Sequence, residues 1–158
     1  MGAIFFYHLT HRPLEAVLPD LLERSRGRGW KVVVRGTDAA RLDWLDQKLW
    51  LGPEDQFLAH ALDGGAHDAH QPVLLTVGSD NPNRAACLMA VDGAEVSKDE
   101  ANRFERVCIL FDGNDDAALN VARGQWKALT TSGCAAQYWS EESGRWEMKA
   151  QAGGGESE

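Results

Sequence analysis

Apolar residues fall along this chain in two rhythms. Short, nearly continuous runs at Ile4 to Leu9, Lys31 to Arg35, Pro72 to Val77, Ala86 to Val91 and Val107 to Phe111 read as strands covered on both faces. Between them lie stretches with helical spacing. Pro13 opens one that carries Leu14, Val17, Leu18, Leu21 and Leu22, and Gly27 and Gly29 end it. Asp38 caps a second, which sets Leu42, Leu45, Leu49 and Trp50 along one side before Gly52-Pro53 closes it. A short helical stretch from Lys98 to Asn102 precedes the Val107 strand. Beyond Phe111, the turn Asp112-Gly113-Asn114 leads into a long helix from Asp115 to Thr131, stopped by Gly133.

Buried strands alternating with helices predict a single α/β domain: a mostly parallel central sheet with helices on both faces, Rossmann-like in layout. The domain is expected over residues 1–150, followed by a flexible acidic tail over 151–158 that has no core to join. Gly52 to Gln71 reads as a long loop with one apolar cluster, Phe57-Leu58-Ala59. After Gly133 the chain reads as a tryptophan-bearing tail, with Tyr138-Trp139 and then Gly144-Arg145-Trp146.

Charge narrows the list of functions. The 158 residues include 16 Lys and Arg against 24 Asp and Glu, a net charge of −8. Direct DNA binding is not expected of so acidic a chain, because phosphates must be met by clustered cations. Cys87, Cys108 and Cys134 are an odd number, lack CxxC spacing and lie in or beside apolar segments, as buried thiols of a reducing compartment do. The apolar Ala3 to Tyr7 run has no basic leader and is broken by His8, so neither a targeting segment nor a membrane span is expected, and the expected location is cytoplasmic.

No cofactor motif is found. The first strand is followed by Thr10-His11-Arg12-Pro13, without the glycine that lets backbone approach a pyrophosphate, and no P-loop pattern occurs. Gly27-Arg28-Gly29 follows a helix and precedes a strand, the reverse of a phosphate cradle. His67 with His70, and His8 with His11, share a spacing but lack the further ligands of a zinc site. Ser79 has no nucleophile elbow around it. Asp112, Asp115 and Asp116 follow a strand where Mg²⁺-dependent phosphoryl enzymes keep carboxylates. The alternative function is therefore a small nucleotide-binding or phosphoryl-transfer enzyme using that turn, although helix capping is the favoured account of Asp115 and Asp116.

The long helix is more informative. At about 100° per residue, Ala118, Ala122 and Leu129 centre an apolar stripe with Trp126 on one edge, and Arg123 and Lys127 continue around from it. Trp126 is expected to keep one face on the core while its rim and the two cations face solvent. Such an edge suits a short peptide offering an aromatic or aliphatic end together with a carboxylate. The plain alternative is an amphipathic helix with solvated cations.

The chain resembles the chi subunit family of bacterial DNA polymerase III, an accessory of the clamp loader. The resemblance runs from Phe5-Phe6-Tyr7 to Trp146 through Leu45-Asp46-Gln47-Lys48-Leu49-Trp50, Phe57-Leu58-Ala59-His60, Gln71-Pro72-Val73, Phe111-Asp112-Gly113, Ala122-Arg123 and Trp126-Lys127. It implies an α/β fold without catalysis and two docking surfaces. One takes the acidic, phenylalanine-ended C-terminal tail of single-stranded DNA-binding protein and maps to Arg123, Trp126, Lys127 and Gly133. The other takes the small psi subunit and maps to Leu49, Trp50, Phe57, Leu58 and His60. Two positions depart from the family: Leu119 stands where some members have a lysine, and Ala59 where proline is common.

Overall fold

The computed structural model describes residues 3–10, 12–50, 61–62, 71–78, 83–141 and 145–152, with backbone alone at 49, 50 and 61. Strand β1 (Ala3–Leu9) leads into α1 (Leu14–Gly27), β2 (Val32–Arg35) and α2 (Ala39–Trp50). Then come β3 (Ala61–Leu62), β4 (Val73–Thr76), β5 (Cys87–Ala90), α3 (Lys98–Arg103) and β6 (Arg106–Asp112). Helix α4 (Asp116–Thr131) is followed by β7 (Ala136–Ser140) and β8 (Glu147–Ala152).

The eight strands form one sheet in the order β3-β4-β2-β5-β6-β1-β7-β8. Every neighbouring pair is parallel except β7 with β8. This is the expected α/β architecture. The central strands β2, β4 and β5 are buried at every position, which is why their sequences are continuous apolar runs. Helices α1 and α2 cover one face, packing Leu18, Leu22 and Leu45 on Val32, Val34, Met89 and Leu110. Helices α3 and α4 cover the other, packing Ala101, Ala122 and Leu129 with Phe6, Leu88 and Ile109. All three cysteines are buried and free. No described helix is long and apolar enough to cross a membrane.

Three expectations change. The segment after Gly133 is not a tail: β7 joins the sheet beside β1, and β8 returns antiparallel along it to Ala152, past the expected boundary at residue 150. β7 is fully buried only at Ala136 and Ser140, and β8 is exposed from Met148 to Gln151, so neither carries the solid apolar run of the other strands. The expected loop from Gly52 to Gln71 contains β3, paired with β4 at the sheet edge. Residues 153–158 of the expected acidic tail lie outside the described residues.

An internal ion pair ties β2 to α3. Arg35 is 5% exposed and its guanidinium lies 2.8 Å from Glu100, while it also donates to the carbonyls of Gly78 and Glu95. Burial pushes the Glu100 carboxyl up, but the Arg35 hydrogen bond and charge, with those from Ser97, outweigh it and hold the group below its ordinary value. Glu100 also completes a capping box with Ser97 at the start of α3.

Candidate functional site

Helix α4 begins and ends on local chemistry. Asp115 caps it, its carboxylate accepting from the N–H groups of Ala117 and Ala118. At the other end Ser132 leads into Gly133, whose φ of +94° lies in the left-handed region. The Gly133 N–H donates to the Thr130 carbonyl and the Cys134 N–H to that of Leu129. That pair of bonds makes a Schellman motif, and the buried side chains of Cys134 and Leu129 close it. Gly133 therefore has a backbone role here. A Cβ at this position would meet open space, so conformation rather than crowding favours glycine.

Between its ends the helix lays Ala122 and Leu129 into the core and Ala118 and Leu119 against its margin. Trp126 is half-buried. Its ring meets Phe6 edge-on at 5.3 Å between centroids and Tyr138 edge-on at 6.0 Å. Arg123 and Lys127 are exposed. Among the described residues neither has a carboxylate partner or stacks on a ring. The arrangement is the one expected from helical spacing: a ring held by the core beside two cations open to solvent.

Sequence reasoning missed what holds Trp126 in place. Tyr138, in β7, is bonded through its hydroxyl to Nδ1 of His8 at 2.7 Å. His8 packs over Phe111 and against the β6–α4 turn. A Cβ at Gly113 would collide with the His8 ring, and the Gly113 N–H donates to the Leu9 carbonyl, so the turn admits His8 only with glycine there. The Asp112-Gly113 turn, His8, Tyr138 and Trp126 thus form one packed relay from the end of β6 to the edge of α4. The available signal was the alternation Ala136, Tyr138, Ser140, which places Tyr138 on the face of Phe6. Trp139 falls on the opposite face of the sheet and lines a cavity there.

The second predicted surface is only partly described. The backbone of Leu49 and Trp50 ends α2, and Phe57, Leu58 and His60 lie outside the described residues. Asp46 and Lys48 precede them on α2, where Trp44, half-buried against the core, lies under the guanidinium of Arg41 at 4.4 Å and the ammonium of Lys48 at 5.5 Å.

A crevice of about 700 Å³ opens at the carboxyl ends of β1, β5 and β6, where open α/β sheets commonly bind ligands. Apart from Glu15, in the first turn of α1, its charged groups are engaged in structure. Arg12 pairs with Asp20 and Glu141, and Arg41 with Asp92. Asp112 accepts from the Asn114 N–H, and Asp115 caps α4. Among the described residues no group of three or more His, Cys, Asp or Glu is placed to hold a metal ion. His67, His70, His11 and Ser79 lie outside the described residues.

Comparison with known proteins follows the same outline. A family model described as "DNA polymerase III chi subunit, HolC" matches residues 1–137. A protein of Rickettsia prowazekii (strain Madrid E) named "Probable DNA polymerase III subunit chi" is 25% identical over 117 residues, which cover 71% of this chain and 71% of the relative.

Proposed function

We propose that this chain, which belongs to the DNA polymerase III chi subunit family, acts as a non-catalytic adaptor that links the clamp loader to single-stranded DNA-binding protein. The outer edge of α4 takes the acidic C-terminal tail of that protein. Arg123 meets the tail's carboxylates, Trp126 packs on its terminal aromatic residue, and Lys127 adds positive potential. Gly133 turns the chain away at the end of the helix. The psi subunit docks on Leu49, Trp50, Phe57, Leu58 and His60.

The observation that supports this reading is the state of the two cations. In a chain of net charge −8, Arg123 and Lys127 stand beside a fixed aromatic ring without a carboxylate among the described residues to neutralise them. An arginine so placed presents its fork of donors to an incoming carboxylate. The competing phosphoryl-transfer reading has less support, because Asp112 and Asp115 accept backbone hydrogen bonds of the turn and the helix start, and no group of three or more His, Cys, Asp or Glu among the described residues is placed to hold a metal ion.

The experiment is a fluorescence-anisotropy titration with a labelled acidic peptide ending in phenylalanine, beside a control lacking that residue. Binding that requires the phenylalanine, weakens with salt and falls with Arg123→Ala is the expected result. Equal binding of both peptides, or no loss with Arg123→Ala in a folded protein, would falsify the assignment of this edge.

A further inference from the structure

On the opposite face of the sheet from α4, helix α1 runs over β1, β2 and β6, and no described helix covers β7 and β8. Phe5, Tyr7 and Trp139 point to this face, and Trp146, just before β8, stands edge-on to Tyr7 at 5.2 Å between centroids. With the C-terminal half of α1 they enclose a groove of about 260 Å³. That is below the range of about 300–1,000 Å³ usual for drug-sized ligands, and it suits a single ring-bearing side chain.

The charge around this groove runs against the charge of the chain. Arg24, Arg28 and Arg106 all line it. Arg106 lies 4.3 Å from the Phe5 ring centroid and 5.3 Å from that of Trp30, and Arg28 lies 5.1 Å from the same Trp30 ring. None of the three has a carboxylate partner among the described residues, although acidic residues outnumber basic ones 24 to 16. Gathering like charges costs free energy that a bound anion would return. Tyr7 also lines the groove, and burial raises its phenol above the ordinary value of 10.

We propose that this groove docks an acidic peptide segment of a partner protein, which inserts one aromatic side chain among Tyr7, Trp139 and Trp146 and lays flanking carboxylates on Arg24, Arg28 and Arg106. A carboxylate matches the guanidinium fork. Single-stranded nucleic acid is the weaker match, because its binding grows with the number of phosphates neutralised along a track, and the three arginines crowd one spot in a protein of net charge −8. The inference is independent of the α4 reading, since the two sites lie on opposite faces.

The test uses the full chain at low salt and a labelled heptapeptide, Asp-Glu-Asp-Phe-Asp-Glu-Asp, with both ends blocked so that no terminal carboxylate is present. Tryptophan fluorescence and anisotropy are followed together. The expected result is a change in tryptophan emission on binding, and at least about tenfold weaker binding when the peptide phenylalanine becomes alanine or the protein carries Arg24→Glu with Arg28→Glu. Arg24 is exposed on α1 and Arg28 at its C-cap, so circular dichroism should show an intact fold; Arg106→Ala is the second variant, and the stacking of Arg28 on Trp30 and of Arg106 on Phe5 makes a stability check necessary for both. Undiminished affinity in the folded α1 variant, or no binding to the wild type, overturns the proposal. So does loss of heptapeptide binding in Arg123→Ala with retention in the α1 variant, which would place the peptide on α4. Tighter capture of a labelled dT12 strand, abolished by the same α1 variant, would overturn it in favour of nucleic acid.

Discussion

Helices α2 and α4 carry nearly the same set of side chains and use it differently. Each sets a tryptophan beside an arginine three residues before it and a lysine after it: Arg41, Trp44 and Lys48 on α2, Arg123, Trp126 and Lys127 on α4. On α2 the cations lie over the ring, and Arg41 also pairs with Asp92, so their charge is spent within the molecule. On α4 the ring turns inward to Phe6 and Tyr138, and the two cations are exposed without a carboxylate partner among the described residues. Both rings pack in part on the core, and the difference lies in where the cations sit: over the Trp44 ring on α2, and away from the Trp126 ring on α4.

The largest effect that separates the two regions is in stability. Trp126→Ala removes a ring packed between Phe6 and Tyr138 and should cost about 3 kcal/mol or more in urea unfolding, whereas Trp44→Ala, which removes a half-buried ring from the edge of the core, should cost less, about 2 kcal/mol. Equal losses would erase the distinction.

Binding is the next arm. Arg123→Ala should weaken the phenylalanine-ended acidic peptide about tenfold, equivalent to about 1.4 kcal/mol, with little change in stability. Arg41→Ala should leave that affinity where it was. If both arginine variants lose binding equally, long-range charge rather than the α4 edge attracts the peptide.

Gly133 offers a finer probe. At φ +94°, Gly133→Ala should destabilise the fold by about 1 kcal/mol, and Gly133→Asn by less, since asparagine tolerates the left-handed region. If Gly133 serves the site only by shaping the helix end, folded Gly133→Asn should bind the peptide like the wild type.

The smallest effect concerns a third cation, Arg35, which is buried and satisfied by Glu100. Because the folded-state carboxyl of Glu100 titrates below its ordinary value of 4.5, its contribution is fully present above that pH and is lost as pH falls through the lower folded value. Stability measured from pH 6 downward should therefore decline less steeply in Glu100→Gln than in the wild type. An unchanged slope would remove Glu100 from the groups that make the protein acid-sensitive.

Much of the layout was legible because solid apolar runs and helical stripes are strong local signals. Asp115 as a cap and the inward edge of Trp126 followed from spacing alone. The strands β7 and β8 were obscured for a physical reason. No described helix covers one side of them, so β7 is fully buried only at Ala136 and Ser140, β8 is exposed from Met148 to Gln151, and the tryptophans there read as a loose tail. The support under Trp126 was hidden by distance along the chain, since His8, Gly113 and Tyr138 meet only when β1, β6 and β7 lie side by side.

By itself the sequence determined the α/β class, the order of its main elements, the acidic charge that disfavours nucleic acid, and the placing of Arg123 and Lys127 beside a tryptophan. These depend on periodicity and composition, which act within a few residues. The tertiary structure alone decided which tryptophan meets Phe6 and Tyr138 and which lies under its own cations, and it brought Arg106 of β6 beside Arg24 and Arg28 at the end of α1 around one open sheet face. Those outcomes depend on strand order and on which face each residue meets. Pairing across the sheet sets them, and no local pattern contains that information.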